Sequence, residues 1–178
     1  ITCRDWSSDV CSSDLITYCR ASLQSGANGI FMSVLASKEH VDRKIFLEFV
    51  KPPAMKVFNA VKNLAPMNVA HIHGNKIYTA DVLDFPVPVL SWEDRLPGNP
   101  TLEEIKKKFP GAVMGGIDHT GTTFRTRASV KENAREGIRR GGKSRFILAN
   151  GCSVPSWMDP AAISGIVEAA KEAVEAAT

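Results

Sequence analysis

Along the chain, short unbroken apolar runs alternate with stretches in which apolar positions recur every three or four residues. The runs are 29–33 (GIFMS), 68–72 (NVAHI), 87–91 (VPVLS), 112–117 (AVMGGI) and 145–149 (RFILA). Continuous runs of this length, rather than strict alternation, suit parallel strands buried on both faces. The segments between them carry helix punctuation. Thr101 and Ser129 each precede a glutamate by three residues, Glu104 and Glu132, which is the reciprocal arrangement of a capping box. The helices they open should stop at the breakers Pro110-Gly111 and Gly141-Gly142. A last helix is expected to start with Asp159 as N-cap and Pro160 in its first turn, with Ile163, Ile166, Val167, Ala170 and Val174 along one face. A helical stretch over 38–64 meets Pro52-Pro53, which must kink or break it.

Five strands, each followed by a helix, form a repeating βα pattern whose crossovers must be right-handed. The fold class is α/β, and an open doubly wound sheet and part of a (β/α)8 TIM barrel both satisfy the pattern. No GxGxxG follows any strand, which weakens a dinucleotide-binding reading. A complete barrel takes about 250 residues, and the chain has 178. About five βα units therefore match the C-terminal five-eighths of one.

Composition changes this picture little. At 44% hydrophobic and 23% charged residues the chain is expected to be a soluble globular protein of one or two domains, not a disordered chain or a coiled coil. No apolar stretch approaches the roughly 18 residues that cross a bilayer. The first residues change it more. Residues 4–15 read RDWSSDVCSSDL, which resembles an in-frame translation of a sequencing-library adapter. They have no apolar periodicity and lack the charged-then-apolar order of a signal peptide. We therefore expect 1–15 to be an adapter-like artefact, 16–178 to be the native partial barrel domain, and the true N-terminal part to be missing. Setting aside Arg4, Asp5, Asp9 and Asp14 raises the formal net charge by two from +3, still mild. The basic groups Lys106, Lys107, Lys108, Arg139, Arg140, Lys143 and Arg145 read as a solvated face rather than a nucleic-acid patch. Outside 1–15 only Cys19 and Cys152 remain, far apart, so a disulfide framework is unsupported and a reducing cytoplasmic compartment is the default.

In either architecture the working residues sit beyond the carboxyl ends of the strands. Polar residues are concentrated there: Ser33; His71 and His73; Trp92, Glu93 and Asp94; Asp118 and His119; Asn150 and Cys152. His71 and His73 are two apart, so extended geometry points both side chains to one side. With a thiolate from Cys152 they would supply two nitrogens and one sulfur, a set suited to Zn2+. The alternative is two hydrogen-bonding histidines and a cysteine acting as a small buried hydrophobe. Asp118, after Gly115-Gly116, is a candidate acid or base, or a residue that turns the chain. The two glycines imply close backbone approach or positive φ. Trp92-Glu93-Asp94-Arg95 could present a carboxylate, with Asp94 the candidate, to a cation or substrate, an internal salt bridge being the alternative. Arg125 and Arg127 are candidate carboxylate binders, with surface exposure the alternative.

In order, HIHG, VLSWEDR, AVMGGID and FILANGCSVP followed by a helix resemble the uroporphyrinogen decarboxylase superfamily over 26–177. The resemblance implies a (β/α)8 barrel of which strands four to eight are present and one to three are missing. It also implies one of two chemistries. One is cofactor-free decarboxylation of a porphyrinogen in porphyrin biosynthesis. The other is zinc-dependent transfer of a methyl group from a methylcobamide, held as a corrinoid on a partner protein, to a small thiol. The sequence looks nearer the second branch, whose members carry His-x-Cys at the end of the fifth strand and a Cys after the eighth. His71 matches the first ligand, Cys152 the last, and His73 stands where the branch has Cys. Three protein ligands leave a fourth position for the thiol. A tetrahydrofolate acceptor, a metal-free member and a catalytically inert barrel that binds a corrinoid protein are further alternatives.

Overall fold

The computed structural model describes residues 3–121, 123–158 and 160–176, and their side chains from residue 10 onward. Asp159, the expected N-cap of the last helix, lies outside the described residues. Five strands, β1 (Phe31–Leu35), β2 (Val69–His73), β3 (Val89–Trp92), β4 (Ala112–Ile117) and β5 (Phe146–Asn150), form one parallel sheet in the order β1-β2-β3-β4-β5. β1 pairs with β2 from Phe31↔Val69 to Leu35↔His73, and β4 with β5 from Val113↔Phe146 to Ile117↔Asn150. Sequential order without a reversal is that of a barrel wall and removes the doubly wound alternative. Among the described residues no helix is long and apolar enough to cross a membrane.

Contact density divides the chain into two compact units, residues 1–90 and 91–178. In the first, α1 (Cys3–Gln24) packs on α3 (Lys51–Val61). Cys19, Val57 and Val61 form a buried cluster with Ile16, Leu23, Ile30 and Met32 around it. Residues 4–15 continue α1 toward its N-terminus, and within 10–15 only Ser12 is buried. The expected 38–64 helix begins at Arg43 instead. Short α2 (Arg43–Ile45) passes into a π-turn over Phe46–Val50, and α3 follows with the proline pair in its first turn. Proline has no N–H to give the carbonyl four residues back, so the wider turn ahead of the pair lets the chain stay helical where a break was expected. β1 starts two residues later than its apolar run, because the Ile30 N–H goes to the Asn68 side chain (3.0 Å). The same amide donates to the Val61 carbonyl (3.0 Å), tying the end of α3 to the starts of two strands.

In the second unit the capping box of α5 (Leu102–Lys106) is present as expected. Thr101 Oγ1 accepts the Glu104 N–H (3.2 Å), and the Glu104 carboxylate accepts the Thr101 N–H (2.7 Å). The box expected at Ser129 lies a turn earlier. α6 (Arg127–Gly141) is capped by Thr126, whose backbone is extended, and Ser129 fills the third helical position, bonding back to the Thr126 N–H (3.2 Å). A serine there can reach the cap as a glutamate would, which leaves Glu132 outside facing Arg135. Gly142, at φ +70°, ends the helix. Pro160 opens a 3-10 turn (Pro160–Ile163) rather than the last α-helix, α7, which runs Ser164–Glu175. α6 packs on β4 and α7 on α6, around Ile117, Phe124, Val130, Ala134, Ala162 and Ala169. Gly116 (φ +99°) and Gly137 let helix and strand approach until a Cβ on Gly137 would stand 2.8 Å from the Gly116 carbonyl oxygen.

Candidate metal centre

β2 delivers both histidines to its carboxyl end. Ile72 turns to the other face and is fully buried, so His71 and His73 share a side, their ring centroids 6.0 Å apart and inclined at 41°. His71 is buried and His73 half-buried. Each ring has an aromatic neighbour from the β1 side: Phe31 stacks on His71 (5.4 Å, 24°) and His40 on His73 (4.8 Å, 8°). The strand ends at Gly74, φ +98°, where a Cβ would fall 2.3 Å from Ser37 Oγ and 2.7 Å from His40 Cδ2.

The second unit gathers a different set beyond β3 and β5. Glu93, next after the buried Trp92, is itself buried, and its Oε1 lies 3.9 Å from His119 Nε2. Cys152 follows Gly151, whose N–H donates to the Ile117 carbonyl (2.9 Å). A Cβ on Gly151 would stand 3.1 Å from His119 Nδ1 and 3.2 Å from Glu93 Cα, so glycine there lets the two loops close on each other. Burial pushes the Cys152 thiol up; a hydrogen bond to the Glu93 side chain adds to this, and the Ser153 N–H pulls the other way. In the sequence Glu93 was visible at a strand end and within the run Trp92-Glu93-Asp94-Arg95 that could face a cation, with Asp94 singled out instead. Its burial as a carboxylate beside a thiol is the signal that sets it apart, and that signal is three-dimensional.

Asp94 is buried just beyond β3. Burial raises its carboxyl above the usual range, partly offset by the Gly116 N–H, which donates to Oδ1 at 2.8 Å, and by the charge of Arg95. Gly115 makes room for that carboxylate, since a Cβ there would sit 2.6 Å from Oδ1. Thus Gly115 serves close approach and Gly116 positive φ. Asp118 is half-buried; its Oδ1 accepts from the Thr120 N–H (2.8 Å) and hydroxyl (2.7 Å), and its own N–H donates to Asn133 Oδ1 (2.8 Å). Arg127 is exposed and pairs with Glu168 on α7. Arg95 donates to the Gly116 carbonyl (3.1 Å), bracing the strand end that holds Asp94.

A family model described as uroporphyrinogen decarboxylase (URO-D) matches residues 8–173. The methylcobamide:CoM methyltransferase MtbA of Methanosarcina mazei is 24% identical over 165 residues, covering 92% of this chain and 47% of that protein. Among solved structures, a methyltransferase from Methanosarcina mazei superposes with a TM-score of 0.77 at 22% identity, over 92% of this chain and 48% of that one. A B12-independent methionine synthase from Shewanella sp. W3-18-1 superposes with a TM-score of 0.61 at 14% identity, over 91% and 54%. The parallel sheet with alternating helices thus matches part of a TIM barrel, and the chain spans about half the length of these relatives.

Proposed function

Because the chain belongs to the uroporphyrinogen decarboxylase family, we propose that it serves a zinc-dependent methyltransferase that moves a methyl group from a methylcobamide, carried by a corrinoid protein, to a small thiol. The observation that carries this reading is the kind of donor each unit brings to its strand ends: the imidazoles of His71 and His73 beyond β2, and the thiol of Cys152 with the buried carboxylate of Glu93 beyond β5 and β3. Two imidazoles, a thiol and a carboxylate suit zinc, and nothing in the set demands a harder cation. Resemblance to a methylcobamide:CoM methyltransferase over 92% of the chain favours the same branch.

In this reading His71 and His73 donate as neutral imidazoles and Cys152 as a thiolate. A bound cation would reverse the upward push that burial gives the thiol. Zinc at these residues would keep an acceptor thiol deprotonated near neutral pH, ready to take the methyl group while cobalt retains the bonding pair. Glu93 would be a fourth donor beside the position that thiol takes. Asp94 and Asp118 remain the candidate proton-handling carboxylates; each has one oxygen held by hydrogen bonds, and Asp94 is the better suited because burial keeps its carboxyl raised.

The test is zinc content. In the full-length protein, Cys152→Ser should lose most bound zinc and thiol-dependent methyl transfer while keeping its fold, because a hydroxyl is a far poorer ligand than a thiolate. Unchanged zinc stoichiometry in that variant refutes the assignment. Metal-independent decarboxylation of uroporphyrinogen would instead establish the other chemistry of the family. Corrinoid-protein binding with neither metal nor turnover would identify an inert partner.

A further inference from the structure

His40 lies outside every strand and helix, in the turn that follows β1, yet its ring stacks on that of His73, 8° off parallel with centroids 4.8 Å apart. The turn is fastened along its length to the segment that follows β2. Tyr78 N–H donates to the Ala36 carbonyl (2.8 Å), Ser37 bridges Ile77 in antiparallel fashion, and Lys38 N–H donates to the Lys76 carbonyl (3.1 Å). Asn75 N–H donates to the Glu39 carboxylate (2.7 Å), and the Tyr78 hydroxyl to the Val41 carbonyl (2.6 Å). Within the turn, the N–H groups of His40 and Val41 both donate to the Ser37 carbonyl (3.2 and 3.1 Å). Although His40 is exposed, its backbone is therefore held, and the missing Cβ of Gly74 leaves the space its ring occupies, since a Cβ there would come 2.9 Å from Nε2.

A histidine that ligates a metal needs its ring plane fixed as well as its backbone, and neighbouring groups that do this typically change metal affinity 10–100-fold when removed. A flat ring laid against the imidazole limits rotation about the bond joining ring to backbone, because turning drives the ring edge into its neighbour's face. We propose that His40 is a positioning residue for His73: stacked on it, His40 holds the imidazole in the plane a metal ligand requires. The inference rests on the ligand reading above. Phe31 against His71 repeats the device on the other histidine.

The experiment compares wild type with His40→Ala and His40→Phe in the full-length protein. Zinc affinity from chelator competition should fall about tenfold in His40→Ala and stay within about threefold in His40→Phe, which keeps a flat ring without its nitrogens. Unchanged affinity in His40→Ala overturns the proposal; so does an equal loss in both variants, which would mean that the imidazole nitrogens act directly. In the metal-free protein, relaxation of the His73 ring carbons should report an ordered ring in wild type and His40→Phe and a mobile one in His40→Ala. That measurement separates the two ideas. If wild type takes up no zinc, the ligand reading fails while ring order still decides the positioning role, and equal order in all three proteins overturns it.

Discussion

At the scale of single residues, Asp94 shows how one carboxylate can serve structure and chemistry together. Its pKa is raised in the folded chain, chiefly by burial. A group of this kind contributes most to stability below its unfolded pKa of about 4, and that contribution is lost as pH rises through the folded value. Asp94→Asn keeps an oxygen for the Gly116 N–H and removes the titration. Its stability should therefore fall less than wild type's between pH 4 and pH 7, and at pH 7 it should match or exceed wild type in urea unfolding. Asp94→Ala leaves that buried N–H without its partner and should cost about 1–3 kcal/mol. A loss in Asp94→Asn at pH 7 as large as in Asp94→Ala would show that the negative charge itself holds the site. If turnover falls in Asp94→Asn while stability holds, the proton-handling role gains support. The sequence made Asp94 visible as a polar residue at a strand end. Its partner, twenty-two positions away, emerges only when β3 and β4 fold.

Among elements, α6 lies close against β4 where Gly137 meets Gly116. Gly137→Ala ought to stabilise an isolated helix by about 1 kcal/mol. Here the new methyl would meet Gly116 backbone atoms at 2.8–3.1 Å. Backbone atoms cannot rotate aside, so helix and strand must separate, and overpacking of this kind costs typically 1–3 kcal/mol. We expect a net loss of stability; a Gly137→Ala protein that melts at or above the wild-type temperature would contradict the geometry. Element order was legible because short apolar runs mark strands, although only β2 and β3 are buried along their length, while β1 is largely exposed and β5 half-buried. Boundaries were less so. Thr126 and Ser129 can both cap, and choosing between them depends on where the chain leaves the 3-10 turn Thr123–Arg125. The π-turn before Pro52 had no sequence signal beyond the prolines themselves. Glu93 escaped because burial, not residue type, sets it apart from the neighbouring carboxylates.

For the molecule as a whole, the question is which residues belong to it. We propose that 1–15 are foreign and that 16–178 form the family's domain in part. In α1, Ile16, Cys19 and Leu23 enter the cluster with α3, whereas within 10–15 only Ser12 is buried, and the family match begins at residue 8. Removing 1–15 should leave the circular dichroism spectrum changed only by the loss of those helical residues, and solubility unaltered. A wider loss of helix or sheet signal would show that the segment is integral. The sheet order has a consequence for how such a chain comes into being. Every strand lies beside the one made just before it, Phe31 opposite Val69 and Val113 opposite Phe146. Pairing in this order never waits for a strand still to be made, so a ribosome releasing the chain from its N-terminus hands each new strand a neighbour already in place, and the wall can be laid strand by strand in the order of translation.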